Sequence, residues 1–388
     1  MAVYNYSNLS AMRINCDPEL YINITYDFVD DWTYHEGQIF SITVLFPILL
    51  LLGLLGNSAF IFVVYRRPEM RTVTNWYLTN LAVADILFLV SAIVDKIWLY
   101  ANSPVPGDDS PHGPIACIVI SLLADLTYFA SLCFITLVSF DRFLAVRRPQ
   151  TSKRRRTKNA LPTSIGCWVF AFCVAACLIP SRSKFVKYCL DWPPGDDKYK
   201  DWPAEMYVCR SHNIWLDKFS NVIQTVPFFS AFALNVFLYI NIIRSLDKSI
   251  QNLGHHGMSQ DKNVAMRNQI AKMLVVNGVV FFCCLFPFEL MCLFQVIKSL
   301  QGPDILPLKI EELLYEISRV MAYINSVANP LIYTLLSHRY RANFKAAFMC
   351  RGNISQRGSR RTENDAAHNN EFRTSSLRGQ NATRDEIL

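Results

Sequence analysis

The 388-residue chain is 52% apolar, 18% charged, and carries a formal net charge of +7, with a positive mean hydropathy of +0.20. The surplus of cations does not mark a nucleic-acid binder. It collects beside long apolar stretches, where the phosphate of an inner membrane leaflet accounts for it.

Residues 1–38 are polar and tyrosine-rich, without an apolar leader, so the first span is expected to act as its own insertion signal. The tail holds one basic residue, Arg13, against Asp17, Glu19, Asp27, Asp30, Asp31 and Glu36. Asn5, Asn8 and Asn23 each open an N-glycosylation sequon. The tail is read as extracellular and glycosylated.

Seven apolar stretches follow, near 39–65, 75–99, 115–146, 160–180, 214–243, 267–298 and 311–336. Each approaches the roughly 20 residues needed to cross a bilayer as a helix. The expected fold is an all-α membrane protein, a seven-transmembrane helix bundle occupying 39–350. Arg66, Arg67 and Arg71 lie in the first connection, and Arg147, Arg148, Lys153, Arg154, Arg155, Arg156 and Lys158 in or beside the third. Arg339, Arg341, Lys345 and Arg351 follow the last span. The positive-inside bias puts these segments in the cytoplasm and the N-terminus outside.

Charged residues occur inside the spans: Asp85, Asp95, Asp125, Glu289 and Arg319. At a lipid-exposed helix centre each costs on the order of 3 kcal/mol. Five would total roughly 15 kcal/mol, as much as a whole domain's net stability. They must face one another or a watery cavity, either as structural ion pairs or as a binding site. Asp85 lies midway along the second span, at a depth that Ser131, Asn325, Ser326 and Asn329 can share. Such oxygens suit a small hard cation, with sodium the first candidate; a water-filled hydrogen-bond network is the alternative. Nearer the outside, Asp95, Asp125, Tyr128, Glu289, Arg319 and Tyr323 are expected to line a mostly acidic, aromatic pocket.

Asp141-Arg142-Phe143 ends the third span, where the acid can hold the arginine in one state and release it in another. Asn329-Pro330-Leu331-Ile332-Tyr333 ends the seventh. Proline deletes a helical hydrogen bond and disfavours helical geometry in the residue before it, so this segment is a candidate hinge. The tail 351–388 has a disordered composition. Its serines and threonines are candidate phosphorylation sites, and Cys350 is a candidate palmitoylation site, with a plain free thiol as the alternative.

Together these residues resemble the rhodopsin-like G-protein-coupled receptors over about 39–350. Gly56-Asn57, Leu81 to Asp85, Cys117 with Asp141-Arg142-Phe143, Trp168, Pro227, Phe281 with Pro287, and Asn329 to Tyr333 fit the seven helices in turn. Tyr340 to Phe348 looks like the short amphipathic eighth helix. The resemblance implies a multi-pass plasma-membrane receptor rather than an enzyme, with no cofactor beyond an allosteric sodium ion. It implies a heterotrimeric G protein and arrestin as partners, with membrane lipid around the bundle. It also ties Cys117 to a cysteine of the second outer loop. Cys189 is the preferred partner, which would leave Cys209 for Cys16; Cys209 is the alternative partner of Cys117. The family's sixth-helix Trp is replaced by Leu285, so the activation switch is expected to involve Phe281, Leu285 and Pro287 besides Asp141, Arg142, Asn329, Pro330 and Tyr333.

Met70 to Leu78, the pair Arg319 and Tyr323, and Ser337 to Phe344 resemble thyrotropin-releasing-hormone receptors and related neuropeptide receptors. The implied ligand is an extracellular peptide. Glu289 stands where that branch has a basic residue, so a different, basic or amidated peptide is expected. A small-molecule or lipid ligand is the alternative within the family, and a transporter is the more distant one.

Overall fold

The computed structural model describes residues 16–147, 153–194, 197–251, 258–301 and 308–349. Asn5, Asn8, Cys350 and the tail 351–388 lie outside the described residues. The long helices are α1 (Phe46–Arg66), α2 (Val73–Asn102), α3 (Pro114–Arg147), α4 (Lys153–Leu178), α5 (Ile214–Gln251), α6 (Met258–Gln301) and α7 (Leu308–Leu336). The short α8 (His338–Phe348) follows. A turn of helix, Glu36–Phe40, and a π-helical turn, Ser41–Leu45, lead into α1.

Local chemistry explains the ends. Arg67 precedes Pro68 and is forced out of helical geometry, to φ −106° and ψ 105°, so α1 stops at Arg66. Thr72 caps α2, its hydroxyl accepting from the Asn75 amide. Gly113, at φ 73°, turns the chain into α3 at a conformation other residues rarely adopt. Helices α5 and α6 have 38 and 44 residues. At about 1.5 Å per residue they far exceed the roughly 30 Å hydrocarbon core, so they extend past the membrane beyond the apolar stretches that announce them.

Helices α1 to α6 are long and apolar enough to cross a membrane. In α7 the apolar run is diluted by Arg319, Asn325, Ser326 and Asn329, and the last three of these are buried. The bundle keeps its polar spanning residues inside, among a largely apolar core, and turns an apolar belt outward. Asn57, Asp85, Asn235, Asn277 and Glu289 are almost fully buried, while Leu55, Val94, Val169, Phe172, Phe237 and Leu335 are exposed. Such a belt is a lipid-facing surface, because water would not tolerate so much contiguous apolar area. Proline interrupts α4, α5, α6 and α7 at Pro162, Pro227, Pro287 and Pro330. At Pro330 the α1 backbone comes close: a Cβ on Gly56 would sit 3.3 Å from the proline ring.

A small sheet marks the end called outer here, by the charge bias of the connections. β2 (Lys184–Asp191) and β3 (Glu205–Arg210) form an antiparallel hairpin, and β1 (Tyr21–Asn23) of the N-terminal tail adds in parallel to β2. Ile24, Val29, Val105, Leu190, Tyr199 and Met206 pack beneath it as a separate apolar core. Asn23 is exposed at the end of β1.

Two disulfides fasten this cap: Cys117–Cys209 and Cys16–Cys189. This corrects the preferred Cys117–Cys189 pairing, and with it Cys16–Cys209. The hairpin register supplies the reason. The outgoing strand β2 reaches Cys189 only after moving to the position opposite Glu205, beside Tyr21 of the tail. The returning strand β3 brings Cys209 back opposite Phe185, within reach of α3. Both closures have Cα separations, 6.4 and 5.6 Å, suited to a disulfide.

Candidate functional site

A cavity of about 270 Å³ opens between α2, α3, α5, α6 and α7. Asp125, Tyr128, Arg319 and Tyr323 line it, as the sequence suggests, together with Arg182, Gln224 and Tyr315. Asp85, Ser131, Asn325 and Ser326 line its deep end. One helical run of α3 therefore contributes at two depths, since Asp125, Tyr128 and Ser131 recur at intervals of three.

The outer layer is organised by ion pairs. Arg182, just beyond α4, places its guanidinium on both oxygens of Asp125, at 3.2 and 3.1 Å. Arg319 pairs with Glu316, one turn away on α7, at 2.9 Å. Asp95 does not line the cavity, which corrects its placement in the pocket. It is engaged instead at the rim by His112 Nε2 at 3.0 Å and Lys96 at 3.2 Å. With Arg182 present, the cavity is balanced in charge rather than mostly acidic.

In the middle layer the Tyr128 hydroxyl donates to Glu289, which is completely buried and does not line the cavity itself, a correction to its expected place in the pocket. Tyr323 packs edge-on against Phe46, and its hydroxyl reaches the Ala92 carbonyl at 3.5 Å. Leu285 lies at the cavity wall. Phe282 and Phe286 face α5 instead, in a ring cluster with Phe228, Phe229 and Phe232. Phe281 is fully buried, its ring 5.4 Å from that of Phe282.

Deeper, Asn329 Nδ2 donates to Asp85 at 2.7 Å. Asn57 donates to the carbonyls of Gly53 and Ser326, at 3.0 and 2.9 Å, bridging α1 to α7 just above the proline. At the inner end Arg142 lies 3.3 Å from Asp141, which also accepts from Thr74 at 2.6 Å. Tyr333 is buried against the rings of Phe60 and Tyr340, which also stack on each other, and the Tyr340 hydroxyl donates to Asn75. The Asp85–Asn329 pair thus sits between an outer cavity and an inner arginine clasp.

The outer loops are pinned by carboxylates. Asp108 accepts from the Tyr207 amide at 3.1 Å and Asp109 from the Cys209 amide at 2.8 Å. Burial raises the Asp109 carboxyl above its usual range, partly offset by that amide and by Lys96.

Sequence reasoning misses Arg182 and Gln224. The signal for Arg182 is a lone arginine two residues after Pro180, beside a bundle whose buried acids outnumber its buried bases.

Comparison with known proteins agrees with this architecture. The family model described as 7 transmembrane receptor (rhodopsin family) matches residues 56–333. G-protein coupled receptor 54 of Oreochromis niloticus is 26% identical over 330 residues, covering 83% of this chain and 79% of the relative. Somatostatin receptor type 5 of Rattus norvegicus is 28% identical over 313 residues, covering 79% and 78%. The allatostatin-A receptor of Bombyx mori is 29% identical over 338 residues, covering 84% and 85%. The match runs from the Gly56-Asn57 pair to Tyr333 and takes in the cavity, the Asp85–Asn329 pair and the arginine clasp: the chain belongs to the rhodopsin family of seven-transmembrane receptors.

Proposed function

We propose that this receptor stands in the plasma membrane with its N-terminus outside, binds an extracellular peptide in the cavity, and passes the signal to a heterotrimeric G protein. The observation that carries the reading is the Asp125–Arg182 pair in the cavity wall, with Arg319 nearby on α7. A peptide offers both kinds of partner these groups accept. Its cation can replace Arg182 on Asp125, while its carboxylate or carbonyls meet Arg182 or Arg319 in charge-assisted bonds. The sheet cap, with Trp192, Tyr199 and Trp202 packed together, adds an aromatic surface for the rest of the peptide. Relatives named as somatostatin and allatostatin-A receptors support a peptide ligand.

Binding shifts the protein only as far as the ligand prefers one state over another. The inactive state is read in the Asp141–Arg142 clasp, and the active state in its release, with α6 swinging outward about Pro287 while Phe281 and Leu285 shift. Asn329, Pro330 and Tyr333 connect the two ends. Asp85, Ser131, Asn325 and Asn329 offer the oxygens for a regulatory sodium ion. Arrestin is the expected partner of the phosphorylated tail.

A small-molecule ligand is the second reading, favoured by a cavity of about 270 Å³, just below the usual range of about 300–1,000 Å³. The test is a screen of cells expressing the receptor against neuropeptides, with calcium and cyclic-nucleotide readouts. A peptide agonist whose potency falls on substitution of Arg182 and of Trp192 supports the peptide reading. An agonist sensitive to Arg182 and indifferent to Trp192 supports the small-molecule one.

A further inference from the structure

Gly278 of α6 lacks a side chain at a point where a neighbour takes up the room. A Cβ built there would overlap the Tyr239 hydroxyl and the ring carbon that bears it, and would lie 3.1 Å from Cε2 of the same ring. Tyr239 of α5 therefore rests directly on the α6 backbone. It is buried, and its hydroxyl accepts from Ser139 of α3 at 2.9 Å. Gly166 of α4 shows the contrast, since a Cβ there would meet nothing within 4 Å.

The tyrosine belongs to an apolar cluster shared by three helices. Ile242 and Leu246 follow it on α5, Ala271 and Val275 come from α6, and Phe143 and Val146 from α3. Ala271, Val275 and Gly278 recur at i, i+4 and i+7, so they share one face of α6. Gly278 precedes Pro287 and so lies on the inner side of the break in α6. Glycine in a helix interior is unfavourable relative to alanine. The local cost of this notch is offset by the ring that fills it.

We propose that Gly278 and Tyr239 are positioning residues: the notch seats the inner half of α6 against α3 and α5, and α6 leaves its resting place only when the ring leaves the notch. This rests on the reading of α6 as the element that moves. Close-packed interfaces hold one arrangement or another rather than deforming continuously, and a ring in a fitted notch is either seated or not. Tyr239 is fixed on a second side by Ser139, so α6 is tied to α3 through a residue of α5. A methyl group at Gly278 cannot coexist with the seated ring. It favours the displaced arrangement with no ligand present.

The test uses the ligand-free, full-length receptor in lipid nanodiscs. Genetically encoded spin labels replace Lys158 on α4 and Ala265 on α6, both exposed, and the distance between them is read by pulsed electron resonance. Gly278→Ala should raise the longer-distance population about fivefold or more, the low end of what overpacking an interior does to an equilibrium. Gly166→Ala should change nothing. Tyr239→Leu clears the notch, so Gly278→Ala added to it should have no further effect. Ser139→Ala removes one hold on the ring without adding an atom and should lengthen the distance in the same direction, to a smaller extent. Thermal melting confirms the fold of each variant; if Gly278→Ala does not fold, Ser139→Ala and Tyr239→Leu decide. Unchanged distances in well-folded Gly278→Ala, or in both of the other two variants, overturn the proposal. So does an equal effect of Gly278→Ala with and without the Tyr239 ring. Ligand-independent calcium and cyclic-nucleotide signals are measured in cells alongside. A longer distance in Gly278→Ala with neither signal raised supports the notch and counts against the G-protein reading.

Discussion

Asn329 and Asp85 are 244 residues apart in sequence and joined by a 2.7 Å hydrogen bond in the centre of the bundle. The asparagine immediately precedes the proline that interrupts α7, and the aspartate is almost fully buried on α2. The Asp85 hydrogen bond is thus made at the residue next to the proline, which removes one backbone hydrogen bond of α7. Asp85→Asn keeps the shape and removes the carboxylate. Agonist affinity measured in sodium and in a large organic cation should differ for the wild type and converge for the variant. An unchanged sodium effect would favour a hydrated network without an ion.

The cap should be tied in two unequal ways. Cys117–Cys209 fastens the hairpin to α3, whereas Cys16–Cys189 fastens the tail to the hairpin. Removing a native disulfide typically costs about 2–5 kcal/mol in small domains. Cys117→Ser and Cys209→Ser should each remove most surface expression and ligand response. Cys16→Ser and Cys189→Ser should spare expression and reduce potency. Non-reducing peptide mapping checks the connectivity directly, and a Cys117–Cys189 peptide would contradict it.

Arg182→Ala leaves the Asp125 carboxylate without its counter-ion. Breaking a buried pair costs about 3–5 kcal/mol; Arg182 is partly exposed, so about 1–3 kcal/mol is expected here, read as a drop in melting temperature of the purified receptor. Arg182→Gln combined with Asp125→Asn should recover much of that loss, because no unpaired charge remains. Losses that simply add across the two positions would show that the pair is not coupled.

Asp109 predicts a pH effect. Burial raises its carboxyl in the folded protein, so folding favours the protonated form. The associated stability is complete below the unfolded value, ~3.9, and is lost as pH rises through the folded value. Asp109→Asn keeps an oxygen for the Cys209 amide and does not ionise. Its melting temperature relative to wild type should rise as pH increases from the unfolded carboxyl value through the raised folded one. A difference independent of pH would show that Asp109 ionisation carries no penalty.

Much of this architecture is legible in the sequence, because hydropathy and buried-charge arguments act on single residues. Asp85 and Asn329 could be paired in advance since both are polar groups that lipid would not accept. The convergence of Asp125, Tyr128 and Tyr323 on one cavity follows similarly from helical spacing and depth. The partner of Cys117 is not legible, because it depends on which strand of the hairpin returns over α3. Arg182 stayed hidden because it lies outside the apolar runs, where an arginine needs no explanation. Asp95 reads as a pocket acid until His112 and Lys96 are seen to hold it at the rim. The extension of α5 and α6 past the bilayer also escapes hydropathy, since their inner ends are polar helices.

The central claim is that the outer cavity reads a ligand and the inner face reports it. Charge reversal at Arg319 tests this most directly, by comparing ligand-evoked calcium and cyclic-nucleotide signals with surface receptor in the same cells. Arg319→Glu should reach the surface at near wild-type levels, because Arg319 is partly exposed and paired within its own helix, and should lose agonist potency by at least about tenfold, the equivalent of one charge-assisted bond. Unchanged potency at equal surface expression would contradict the account.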